Sequence, residues 1–256
     1  MMSVAAGLAT TGKIVFASSF AIFAAERGCE QIRNSICYPR LNVKIAATHA
    51  GLTVGEDGAS HQCLEDIAIM RAMPNMTVLC PCDAAETRFA IKAAIEHDGP
   101  AYIRLGRLSV EEIYTDDSEL ELGKGILLKD EGNDAVIVAT GLMVQEAMTA
   151  VEILKQKGYG VKLVDIHTIK PIDKELLVRC AKETGTVVTV EEHNITGGLG
   201  GAVCEALSDT YPCYVKRVGV EESFGTSGTP KELLKKYGLT AEDISEKVIN
   251  AIKRER

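Results

Sequence analysis

Short β-rich, aliphatic runs alternate with helical patterns along the whole chain, and this alternation leaves little besides βαβ units on mostly parallel sheets. In a first series, KIVFAS (13–18), NVKIAA (42–47), MTVLC (76–80) and AYIRL (101–105) read as strands. They are nearly continuous apolar runs, as strands covered on both faces must be. Between them, 84–97 reads as an alanine-rich helix opened by a capping-box-like pair, Asp83 and Glu86. A second series starts at AVIVAT (135–140) and continues through VKLVDI (161–166), TVVTVE (186–191) and YVKRVGV (214–220). Its first helix carries Val144, Ala147, Val151 and Leu154 on one face and closes at Gly158, Asp173 caps the next, and a charged surface helix follows Thr240. The acidic, weakly periodic stretch 108–125 separates the series. The fold class is therefore α/β, with two consecutive three-layer α/β domains over 1–115 and 116–256, each on a mostly parallel sheet. MMSVAAGLAT, at the start, reads as a small-residue helix without a capping residue.

Composition narrows the possible partners. A net charge of −8 over 256 residues provides no clustered basic field, so neither nucleic acid nor an anionic membrane surface is an expected partner. No apolar run reaches the ~18 residues of a membrane span, which suggests a cytoplasmic protein. The eight cysteines lie mostly in apolar segments and read as reduced, buried thiols. Cys80-Pro-Cys82 lacks the two-residue spacing of a metal or redox pair, so no metal site is expected in this chain.

The segment ATHAGLTVGEDGASHQ (47–62) carries the most chemistry. It follows a predicted strand directly, at the carboxyl end where open α/β sheets place ligands. His49 and His61 could bind phosphate or donate to hydroxyls, and Asp57 could accept from a hydroxyl. The plainer reading is a solvated loop in which Ser60 caps a helix over 62–73, and spacing alone does not separate the two. The run Gly197-Gly198-Leu199-Gly200-Gly201 invites a dinucleotide-binding reading, but it lies late in the second domain without the acidic residue such sites need. Close helix-to-sheet packing accounts for it better. Arg107 follows a strand end and offers a forked guanidinium to phosphate, whereas Arg104, inside the strand, suits an ion pair at least as well.

As a block, His49 through Gln62 resembles the substrate loop of transketolases, and the resemblance extends over essentially the whole chain. SSFAIFAAERGCEQIR (18–33) resembles the family's aromatic turn that holds the aminopyrimidine of thiamine diphosphate, while IKPID (169–173) and EEHNITGGLGGAV (191–203) resemble its carboxyl-terminal domain. The resemblance implies a thiamine diphosphate-binding fold for the first domain. It implies that Phe20 and Phe23 wall the aminopyrimidine, and that His49 and Arg107 bind a sugar phosphate. Asp57 and His61 would contact sugar hydroxyls as the catalytic-site groups. A third aromatic of some members falls at Glu26, where this chain departs. His193 would serve a dimer contact rather than substrate, and His97 and His167 carry no comparable motif.

The family activates its cofactor with a glutamate a few residues before the helix resembling MMSVAAGLA, and nothing precedes Met1 in this sequence. No Gly-Asp-Gly followed by a distant Asn is present to hold Mg²⁺ and the diphosphate. The resemblance thus implies a homodimer of this chain working with a separate diphosphate-binding subunit or domain, inactive alone. Deoxyxylulose-phosphate synthase, the β subunit of a 2-oxoacid dehydrogenase and a non-catalytic dimerising module are the alternatives. The Gly55-Glu56-Asp57-Gly58…His61 pattern after His49 favours transketolase.

Overall fold

The computed structural model describes residues 1–115 and 117–254. Helix α1 (Met2–Ala9) has no side-chain cap and buries Met2, Ala5, Ala6 and Ala9. It leads into β1 (Val15–Phe20), after which a helical stretch widens into π-type turns over Ile22–Arg27 and Ile32–Cys37 around the short α2 (Cys29–Gln31). Then come β2 (Val43–Thr48), the 3₁₀ turns of Leu52–Asp57, α3 (Asp66–Ala72), β3 (Thr77–Leu79), α4 (Ala84–Glu96) and β4 (Ala101–Arg104). The second half contains β5 (Ile126–Asp130), β6 (Ala135–Ala139), α5 (Met143–Gln156), β7 (Val161–Asp165), β8 (Thr168–Lys170) and α6 (Lys174–Thr184). It ends with β9 (Thr186–Asn194), α7 (Leu199–Ser208), β10 (Tyr214–Val220), α8 (Pro230–Lys236) and α9 (Ala241–Arg254).

Two five-stranded sheets result, in the orders β1-β2-β4-β3-β8 and β10-β9-β6-β7-β5. Each is parallel except for one antiparallel edge strand, β8 on β3 and β5 on β7. The inner strands β4, β6 and β7 are buried along their whole length, which explains their largely apolar sequences, broken only by the buried charges Arg104, Lys162 and Asp165. Strand β8 is encoded in the second half of the chain yet completes the first sheet, pairing Val78 with Lys170 and Leu79 with Thr168. The sequence division at 115/116 adjoins Asp116, which lies outside the described residues.

The Asp83 side chain caps α4 as anticipated, accepting from the Glu86 N–H at 2.7 Å. Glu86 does not close a reciprocal box. Its Oε2 instead accepts from the Cys82 N–H at 2.6 Å. The Glu86 carboxyl faces Asp165 at the end of β7, whose Oδ2 accepts from the Tyr114 hydroxyl at 2.9 Å. Glu86 Oε1 and Asp165 Oδ1 are both buried without another partner among the described residues, and one oxygen of each lies with Cys82 Sγ inside a 4.8 Å cluster. Burial pushes the Asp165 carboxyl up to about 6, and burial together with the Asp165 charge holds Glu86 well above the usual carboxyl range. Glu86 therefore keeps the proton and donates it to Asp165, so the two halves of the chain meet through a neutral carboxyl and a carboxylate. Cys82, like Cys80, is a buried free thiol.

Candidate functional site

Parallel pairing of β1 with β2 and of β2 with β4 brings three strand ends to one edge. Phe20 is registered with Thr48, and Ala47 with Arg104. The aromatic turn, the 48–62 loop and Arg107 therefore emerge side by side, where parallel sheets present ligand sites.

Four sequence-predicted residues gather at the first two ends. The rings of Phe20 and Phe23 are nearly parallel, 11° apart with centroids at 6.0 Å. His49 stacks on Phe20 at 3.9 Å and 8°, while His61 meets Phe23 edge-on at 5.4 Å. All four side chains are half-buried. His49 sits at φ +57°, a conformation that costs energy for a residue with a Cβ and that sites tend to retain for function. Its Nδ1 is hydrogen-bonded to Thr48 Oγ1 at 3.1 Å, and His61 Nδ1 to Ser60 Oγ at 3.0 Å. Ser60 caps no helix, because α3 begins only at Asp66.

Arg107 and Asp57 form a second group. The guanidinium donates to the Val54 carbonyl at 2.5 Å and stands 3.7 Å from both the Glu56 and Asp57 carboxylates. These acids are solvent-exposed, so the ion pairs are weak and an incoming anion can compete for the guanidinium. Glu26, in the position of the missing third aromatic, points toward Cys63 Sγ at 3.8 Å. Burial and the neighbouring Glu65 raise its carboxyl above the ordinary value.

Two residues without an assigned role in the sequence hold the loop. Gln62 Nε2 donates to the carbonyls of Leu52, Gly55 and Thr226, tying the loop's turn to the second half of the chain. Glu192, at the end of β9, accepts the Thr53 N–H at 2.9 Å. Burial pushes its carboxyl up to about 7, opposed by the Arg104 guanidinium and the Thr53 bonds. Arg104 takes the ion-pair role, with Nε 2.9 Å from Asp66 Oδ2, and Nη2 donates to the Glu192 carbonyl at 2.9 Å.

His193 is not at an interface. It is fully buried, hydrogen-bonded through Nδ1 to the Asn194 carbonyl at 2.6 Å and set between Asp66 and Glu191. A polar residue near a strand end gave no sign that the other half of the chain would cover it. The glycine run belongs to packing: Glu191 accepts from the Leu199 and Gly200 N–H groups at 2.6 and 2.8 Å, filling the start of α7 with the chain's own carboxylate. A Cβ on Gly198 would stand 1.9 Å from Glu191 Oε2.

With this geometry in hand, two family descriptions match the chain: transketolase, pyrimidine binding domain, over residues 1–112, and transketolase, C-terminal domain, over 123–244. The chain belongs to the transketolase family. This transketolase-family chain is 52% identical over 258 residues to a transketolase C-terminal section from Methanocaldococcus jannaschii, covering 100% of itself and 80% of that protein. It is 45% identical over 244 residues to the 6-deoxy-6-sulfo-D-fructose transketolase subunit SqwH of a Clostridium species, covering 95% of itself and 76% of the relative. Among solved structures, it superposes with a TM-score of 0.93 and 55% identity on a split-gene transketolase in an inactive β4 tetramer, covering 100% of itself and 82% of that chain. The transketolase of Campylobacter jejuni, 23% identical with a TM-score of 0.83 over 98% of this chain and 38% of its own, shares the fold.

Proposed function

We propose that this chain is the subunit of a split transketolase that supplies the aminopyrimidine wall and the sugar-phosphate pocket for two-carbon transfer from a ketose phosphate to an aldose phosphate. The observation that carries the reading is the parallel, half-exposed Phe20–Phe23 pair beside the histidine loop. A flat heterocycle needs rigid apolar area with offset stacking, and two nearly parallel rings at the end of β1 offer it, so these residues fit the aminopyrimidine of thiamine diphosphate. When bound, that cofactor supplies the electron sink for carbon–carbon cleavage and rejoining. Mg²⁺ and the diphosphate belong to a separate diphosphate-binding subunit, with two copies of this chain in the assembly.

The chain's own residues then have distinct tasks. His49, fixed by its stack on Phe20, donates to the sugar or its phosphate. His61, set edge-on to Phe23, faces the hydroxyls nearest the cofactor. Arg107 binds the substrate's terminal anion, and its exposed acid partners give way when that anion arrives. Asp57 then turns from the guanidinium to a substrate hydroxyl. A guanidinium suits phosphate or sulfonate alike, in keeping with a relative named for a sulfosugar.

The test combines the chain with a diphosphate-binding transketolase subunit, thiamine diphosphate and Mg²⁺, and follows two-carbon transfer. Removal of one charge-assisted contact predicts that Arg107→Ala raises KM for a phosphorylated aldose by about 10–100-fold while sparing an unphosphorylated analogue. Equal losses on both substrates would remove the phosphate assignment. Asp57→Ala should abolish most transfer, and full activity would remove Asp57 from the pocket.

A further inference from the structure

We infer that Glu192, a second-half residue outside the substrate pocket, is a positioning residue that sets the loop carrying Asp57 and, through it, the guanidinium of Arg107. The inference deepens the site proposed above and rests on that reading for its kinetic consequence, although the anchoring itself does not.

The geometry starts at the end of β9, where the Glu192 side chain is 4% exposed. Its Oε2 accepts the Thr53 N–H at 2.9 Å. The loop backbone lies against the same carboxylate: Gly51 sits at φ +83°, and a Cβ there would fall 1.8 Å from Glu192 Oε1. Only glycine permits both this conformation and this approach. The peptide unit two further along carries the consequence, because the Val54 carbonyl accepts from Arg107 Nη1. Two peptide units with one between them are thus tied, one to a buried carboxylate of the second half and the other to the proposed anion-binding side chain.

The anchor is itself fixed. Arg104 donates from Nη2 to the Glu192 carbonyl at 2.9 Å and to the Cys63 carbonyl at 3.3 Å, and its Nε binds Asp66 Oδ2. Gln62 closes the turn from the other side through Leu52, Gly55 and Thr226. Without the Glu192 carboxylate, the buried Thr53 N–H has no acceptor, and an unmatched buried donor costs more than a bond is worth. The loop relieves that cost by moving, and the Val54 carbonyl moves with it. Glutamine at 192 keeps an acceptor oxygen in place, aspartate withdraws it by one methylene, and alanine removes it.

Amide hydrogen exchange on the isolated chain, with no partner or cofactor, tests the anchor. Glu192→Ala should raise exchange in the peptide spanning 51–57 about tenfold, the equivalent of one lost hydrogen bond, and leave α5 and α9 at wild-type rates. Glu192→Asp should fall between, and Glu192→Gln should restore protection. Unchanged exchange at 51–57 in the alanine variant, or an equal rise in α5 and α9, would overturn the positioning role. In the assembled enzyme, the alanine variant should raise KM for the phosphorylated aldose several-fold with little change in kcat, and glutamine should rescue it. A kcat loss without a KM change would also overturn the role. Because exchange is read without turnover, a failure of the anchor is distinguishable from a failure of the transketolase reading.

Discussion

Replacing Glu86 with glutamine should make the chain less sensitive to alkaline pH. In the folded chain Glu86 holds a proton above the ordinary carboxyl range, because burial and the Asp165 charge both disfavour its ionised form. Unfolding releases that proton at any pH above the unfolded value. The stability tied to it is complete below the ordinary carboxyl range and drains as pH rises through the elevated folded value. Across that window the folded state carries one more proton than the unfolded state, and linkage sets the loss at about 1.4 kcal/mol per pH unit. Glutamine donates to Asp165 through its amide and accepts from the Cys82 N–H through its oxygen, but it does not titrate. Above about 6, Asp165 is mostly ionised in the wild type, so the slope there belongs chiefly to Glu86. For each pH unit between the ordinary carboxyl range and the raised folded value, the wild type should lose about 1.4 kcal/mol relative to Glu86→Gln, equivalent to roughly 3–5 °C in Tm for a chain of this size. Thermal and urea unfolding of both proteins across this range provide the assay. Parallel stability curves would show that Glu86 is already ionised in the folded chain and would refute the shared proton.

Asp66→Asn should cost about 3 kcal/mol in urea unfolding, because it strips the buried Arg104 of its ion pair; a loss under about 1 kcal/mol would mean that Glu192 alone balances the arginine. Gly198→Ala should cost about 2 kcal/mol or more by driving a methyl into Glu191 and His193, whereas Gly7→Ala, with no atom within 4 Å of the new Cβ, should gain about 0.5–1 kcal/mol of helix stability. Thermal shifts of opposite sign for the two glycines are the expected result.

The buried strands are legible because burial on both faces leaves them mostly apolar, without a break in AVIVA and with two charged residues in VKLVD. Strand β5 was missed: its side chains are only partly buried at a sheet edge, and its apolar run, ILL, is three residues long before Lys129 and Asp130 end it. Strand β8 was missed for another reason, since three residues carry no period and their partner lies far away in sequence. Within the site, Phe20, Phe23, His49 and His61 could be read because they flank two strand ends and share a recognisable local pattern. Glu192 could not, since Thr53 lies 139 residues away and nothing local distinguishes a carboxylate that anchors a loop from one that faces water. The start of α7 shows the converse, because a glycine-rich turn looks alike whether it cradles a ligand's phosphate or the chain's own Glu191.

The crossing of β8 into the first sheet governs how the protein can be made and handled. On a ribosome, the first sheet waits for its final strand until β5, β6, α5 and β7 have emerged, and until then β3 exposes an open edge of the kind that seeds aggregation. A fragment ending in the acidic connector would keep that edge permanently. The two family domains are therefore one unit of synthesis, and separating them at the connector should give an insoluble first half rather than a smaller working module.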